Sequence, residues 1–221
     1  MRSAFPLLLA SALFGCASAP TPCASPLACG ATDECVANRC AERGSDPVGG
    51  ATDRIVLEPV GAGVVSQSGH ETGLPAAVTF GSRALGRTTL YLAFPLDNRP
   101  RHRIISAFVL LEPISGTPVD RHEIEVEAWR IRSAWQPASL GKSSEPGLGL
   151  PKGAGIVRAA PRQTLRIDVT ELVRYLDDPT LQGSGRDHGL ALTAAAGAGH
   201  GASFATGAGP GRGPRLEIYF R

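Results

Sequence analysis

Lysine is almost missing from this chain: among its 22 basic residues only Lys142 and Lys152 are lysine, and the rest are arginine. An excess of charge is missing too, since the formal net charge is only +2. Nucleic-acid binding driven by bulk charge needs a strongly basic balance, so that class is set aside. No cysteine follows Cys40. Beyond the N-terminal stretch, no apolar run reaches the roughly 20 residues that a membrane-spanning helix requires.

Catalytic signatures are also lacking. There is no G-x-S-x-G elbow, so an α/β-hydrolase serine has no support. Gly141-Lys142-Ser143 resembles the end of a phosphate-binding P-loop, but Gln136 occupies the place of the leading glycine. A Pro/Gly-rich stretch follows, where a phosphate cradle needs a helix. The glycine-rich stretches 197–201 and 207–213 do not fit G-x-G-x-x-G, and there is no H-E-x-x-H zinc motif. The five histidines are scattered. Composition and motifs therefore point away from an enzyme and imply no cofactor.

What is present begins with an address. Arg2 supplies a positive start, residues 4–14 form an apolar stretch, and small residues follow. The stretch is too short to span a bilayer. The run Leu13-Phe14-Gly15-Cys16 resembles the lipobox of bacterial lipoproteins. That resemblance implies a signal peptide over residues 1–15, cleavage after Gly15 and acylation of Cys16. Several acyl chains on one residue exceed the two-signal threshold for stable anchoring. Ala17 stands where an enteric inner-membrane retention signal would have Asp. The expected location is therefore exported and lipid-anchored, at the outer membrane or cell surface.

Cys23, Cys29, Cys35 and Cys40 crowd into the anchored segment, residues 16–40. An exported segment with four cysteines and almost no apolar core reads as two disulfides, with three pairings open. The spacing lacks the close C-x2-C pair of zinc sites. Residues 41–53, rich in Gly, Asp and Ser, read as a linker.

Residues 54–221 show short alternating runs punctuated by Gly and Pro, the period of β-strands. Leu90, Leu92 and Phe94 share one face of a strand. Ile104–Leu111 is apolar on both faces, as a central strand is. Ile124, Val126 and Ala128 alternate with Glu123, Glu125 and Glu127. Leu165, Ile167 and Val169 form another alternation, and residues 189–194 another apolar run. The chain ends with Leu216, Ile218 and Phe220 alternating with Glu217 and Tyr219, a terminal strand of the kind that closes a sheet. One helix is expected after Thr170, whose hydroxyl is placed to cap it, with Leu172, Val173 and Leu176 as its apolar stripe. Residues 138–155 and 197–213 read as long Gly-rich loops. The expected fold is all-β: a jelly-roll-like antiparallel β-sandwich with one short helix.

Several of these pieces resemble, in order and spacing, the DNRLRE domain, or carbohydrate-binding module family 96, related to the disaggregatase repeat. They are Leu90-Tyr91-Leu92-Ala93-Phe94-Pro95-Leu96, Ile105-Ser106-Ala107-Phe108-Val109-Leu110-Leu111 and Val126-Glu127-Ala128-Trp129 with Trp135 after it. Further on come Ile167-Asp168-Val169-Thr170-Glu171-Leu172-Val173-Arg174, His188-Gly189-Leu190-Ala191-Leu192, Ser203-Phe204-Ala205-Thr206 and Pro214-Arg215-Leu216-Glu217-Ile218-Tyr219-Phe220. The Asp-Val-Thr piece leading into a helix is the most specific of them. The family's compact Asn-x-Gly loop before its first Phe strand has no counterpart here, where residues 69–81 stand in its place. The resemblance implies a jelly-roll sandwich on secreted or surface proteins, with polysaccharide as the ligand of some members.

Candidate ligand-binding residues follow from chemistry. Arg99, Arg101, His102 and Arg103 are the densest basic cluster, able to grip carboxylates of an anionic glycan, and equally able to be a solvated hairpin turn. Trp129 shares its face with the glutamates and offers a plate on which a pyranose can pack, unless the next loop covers it. Asp168 is a candidate ligand of a structural calcium, with Asp97, Asp187 or the Asp177-Asp178 pair, or an organiser of the turn into the helix. Glu123, Glu125 and Glu127 suit a solvated strand face better than a glycosidase pair, which needs carboxylates on converging elements. The expected function is a non-catalytic surface lipoprotein that binds polysaccharide or a matrix glycan. The alternative is a structural or protein-interaction scaffold, with a protein partner docked on the cysteine segment.

Overall fold

The computed structural model describes residues 33–36, 39–42, 51, 53–68, 74–96, 103–114, 124–141, 145–157, 164–177, 188–209 and 211–221. Residues 1–32, with Cys16, Cys23 and Cys29, lie outside the described residues. So do Asp97, Arg99, Arg101, His102, Glu123, Asp178 and Asp187.

In the cysteine segment, β1 (Asp33–Val36) and β2 (Arg39–Glu42) pair as a hairpin whose register sets Cys35 opposite Cys40. Then come β3 (Asp53–Leu57), β4 (Gly61–Ser66), β5 (Ala77–Phe80), β6 (Thr88–Ala93), β7 (Ile104–Leu111), β8 (Ile124–Ile131) and β9 (Leu148–Val157). The chain continues through β10 (Leu165–Asp168), α1 (Thr170–Asp177), β11 (Leu190–Ala194), β12 (Ala202–Ala205) and β13 (Arg215–Phe220). β10-β7-β13-β3 form a four-stranded antiparallel sheet and β4-β6-β11-β8-β9 a five-stranded one. β12 pairs with β5, and Ile114 N–H donates to the Ser203 carbonyl just past β7. The antiparallel β-sandwich with one helix is thus the observed architecture.

The alternation of apolar residues dictates how the sheets stack. One continuous core takes Leu90 and Leu92 from β6, Val126 and Ala128 from β8, Leu190 and Leu192 from β11 on one side. From the other side it takes Val109 and Leu111 of β7, Ile167 of β10 and Leu216, Ile218 and Phe220 of β13. Each residue so buried contributes roughly 1.5–3 kcal/mol of transfer free energy. β7 is apolar on both faces because both are covered: Val109 and Leu111 enter the shared core, and Phe108 and Leu110 pack with Tyr219 on the other side.

Three expectations are corrected. The terminal strand β13 does not close a sheet, because β3 lies outside it. The glycine-rich stretch expected as a loop holds β9, a ten-residue edge strand paired along β8. Thr170 does not cap α1: it is the first helical residue, and its hydroxyl accepts the Ala107 N–H at 2.9 Å. The capping acceptor is Asp168, whose Oδ1 takes the Thr170 N–H at 2.9 Å. Arg174 then fastens the helix to β7 by donating to the carbonyls of Ile104 and Ile105.

The outer face of the four-stranded sheet is unexpectedly closed. Phe108, Leu110 and Tyr219 are buried there, with Phe108 and Tyr219 edge-to-face at 6.1 Å. Glu217, expected to face solvent, is only 3% exposed. Its carboxylate pairs with Arg54 from β3 and with Arg166 from β10 at 3.1 Å, and accepts the Tyr219 hydroxyl at 3.1 Å. A buried carboxylate persists only when its lone pairs are filled in this way. Glu217→Ala leaves Arg166 without its carboxylate and should cost about 3 kcal/mol or more in urea unfolding. Arg54 is half exposed, so Arg54→Ala should cost less than about 1 kcal/mol.

Candidate functional site

The outer face of the five-stranded sheet is divided. Its cross-strand registers set Gly63, Tyr91, Ala191, Trp129 and Lys152 in one row and Val65, Thr89, Thr193, Glu127 and Ala154 in the next. The segment after β8, with a 3-10 turn at Pro137–Ser139, folds back over part of this face. Leu140 reaches into the space above Gly63, where a Cβ would lie 2.4 Å from Leu140 Cδ1. Trp135 lies 5.7 Å from the Tyr91 ring and donates its indole N–H to the His188 carbonyl at 2.7 Å. The next residue, Gly189, has a φ of +95° and packs its Cα directly against the Leu92 carbonyl of β6, leaving no room for a Cβ.

Tyr91 is fully buried under this cover. Its hydroxyl donates to Glu145 at 3.4 Å, and Arg87 pairs with the same carboxylate at 3.0 Å. Burial first, and the neighbouring Glu145 charge second, hold the Tyr91 phenol well above its usual range. Burial and Glu217 raise Tyr219 likewise.

Beyond the cover, the face is mixed in character. Trp129 is partly buried, and its indole N–H donates to Glu127 Oε2 at 3.2 Å. Glu127 and Thr193 are partly buried and Glu125 is exposed. The buried Thr89 donates its hydroxyl to Thr193 at 3.2 Å. The adjoining edge strand β9 runs Gly153-Ala154-Gly155 opposite Ala128, Glu127 and Val126, so its sequence offers little bulk beside Glu127. An aromatic plate, a carboxylate and the Thr193 hydroxyl, itself held by the buried Thr89, thus share one face, a composition suited to hydrogen-bonding a flat polyol.

The structure does not gather the other sequence candidates here. Arg103 is exposed at the entry to β7, in the opposite layer, and its carbonyl accepts the Arg221 N–H at 3.0 Å. The Asp168 carboxylate is engaged in the turn into α1, and among the described residues no three His, Cys, Asp or Glu side chains gather as a metal site. Arg130, beside Trp129 in β8, stacks 4.7 Å over the Tyr175 ring and donates to the Leu150 carbonyl. Sequence reasoning missed Thr89, Thr193 and Tyr91; only the pairing of β6 with β11 brings the threonines together, and no local pattern encodes that pairing. Among the described residues no helix is long and apolar enough to cross a membrane. No protein-family model matches the chain, and no curated protein matches it.

The raised tyrosines give a pH signature. A phenol with a folded value above its unfolded value of about 10 contributes its stability in full below that value. The contribution is lost as pH rises through the folded value. Unfolding free energy should therefore fall steadily once pH exceeds about 10. Tyr91→Phe should flatten that fall, measured by urea melts at stepped pH.

Proposed function

We propose that the chain is a lipid-anchored surface protein whose β-sandwich binds polysaccharide or a matrix glycan without catalysis. The observation that carries this reading is the placement of Trp129, with Glu127 and Thr193, all partly exposed, on the outer face of the five-stranded sheet beyond the Trp135 and Leu140 cover. The resemblance to carbohydrate-binding module family 96 supports it from sequence, as does the lipobox ending at Cys16. The register that sets Cys35 opposite Cys40, with Cys40 disulfide-bonded, supports a cross-linked segment next to the anchor. A scaffold that docks a protein partner is the second reading. It is favoured by Val56, 44% exposed on the outermost strand of the four-stranded sheet, and Val60, 75% exposed just before β4.

Native electrophoresis of the protein through gels cast with polysaccharides tests the first reading. Slowed migration in at least one gel is expected; unchanged mobility in all of them passes the case to the scaffold. For the anchor, Cys16→Ala should move the protein from the membrane fraction to the soluble fraction on cell fractionation. Retention in the membrane fraction would remove the lipid-anchor reading.

A further inference from the structure

We infer that the Trp129 face takes a neutral hexopyranose chain and not a uronate polymer, an inference that rests on the glycan-binding reading above. The basic cluster of the sequence suggested an anionic ligand, but its one described member, Arg103, sits in the layer opposite Trp129. Trp129 is accompanied instead by Glu127, bonded to its indole N–H, and by Glu125 two residues along the same strand. Among the described residues, the one cation at a register position of the Trp129 row is Lys152, set against Glu127 in the next row, so the two rows offer a uronate no excess of positive charge. The nearby Arg130 guanidinium is spent on the Tyr175 ring and the Leu150 carbonyl. A uronate stacked on Trp129 would bring its carboxylate toward two like charges, an arrangement that disfavours binding. A neutral sugar presents hydroxyl donors, and a carboxylate is an acceptor with about four lone-pair sites, of which the indole N–H uses one. Thr193, oriented by the buried Thr89, adds a hydroxyl in the adjoining row, and the C–H face of the ring packs on the indole.

The test is affinity electrophoresis of the full chain, kept in detergent, through gels containing laminarin, galactomannan, alginate or polygalacturonate. A neutral gel should retard the protein and the two acidic gels should not. Trp129→Ala should weaken the apparent affinity for the neutral polymer about tenfold or more. Glu127→Gln keeps the side chain's shape and should weaken it about threefold. Thermal unfolding of each variant checks that the fold persists; if Trp129→Ala unfolds, Glu127→Gln carries the test. Retardation confined to alginate or polygalacturonate overturns the inference and leaves glycan binding standing. So does neutral binding that neither variant weakens. No retardation in any gel overturns the glycan reading itself, and the inference with it.

Discussion

Two sheets share one apolar core, and everything else in this domain follows from that packing. A strand has two faces, and the shared core can cover only one of them. Leu90, Val126, Leu192, Val109 and Ile218 all point into the same interior. Each sheet must therefore dispose of an outer face by other means. The four-stranded sheet closes its outer face with arginines laid across the strands: Arg166 reaches past β7 to Glu217, and Arg54 reaches in from the edge. The five-stranded sheet closes only part of its own, with Trp135 and Leu140 over Tyr91. The rest of that face holds the partly buried Trp129.

The core was legible because period-two alternation is local. Residues 165–169, 124–128 and 215–220 announce their inner faces without knowledge of their partners, and each is found in the core as read. The two-sided run of β7 likewise marks a strand buried on both faces. Outer faces were not legible, because what covers them is remote in sequence. Glu217 alternates like a solvent-facing residue, yet its partners lie 163 and 51 residues away. β9 was hidden for another reason. Its glycines carry no hydrophobic signal, and it is a strand only because β8 offers it a ladder. The helix start was misassigned by one element of chemistry. Asp168 and Thr170 both carry capping oxygens, and only the position of Ala107 decides which oxygen serves the helix.

The candidate site shows the same division. Trp129 and Glu127 were visible as neighbours on one strand face, but their setting was not. The row that joins Glu127 to Thr193 and Thr89 exists only through the pairing of β8, β11 and β6. The second tryptophan settles what the first can do. Trp135 spends its ring on Tyr91 and its N–H on a backbone carbonyl, so it roofs the covered half of the face. Trp129 keeps part of its surface in solvent, with Gly153-Ala154-Gly155 of β9 running opposite Ala128, Glu127 and Val126 beside it.

The carboxylates on this face also bear on binding against hydrolysis. Glu125 and Glu127 come from a single strand, two residues apart, and therefore lie side by side on one plane. Cleaving a glycosidic bond asks for two carboxyl groups flanking that bond from opposite sides. A pair aligned along one strand can accept hydroxyls from consecutive positions of a sugar lying flat, but it cannot straddle a linkage. On the proposed glycan-binding reading, the alignment of Glu125 and Glu127 along β8 serves to hold an extended polyol against Trp129 and not to cleave it.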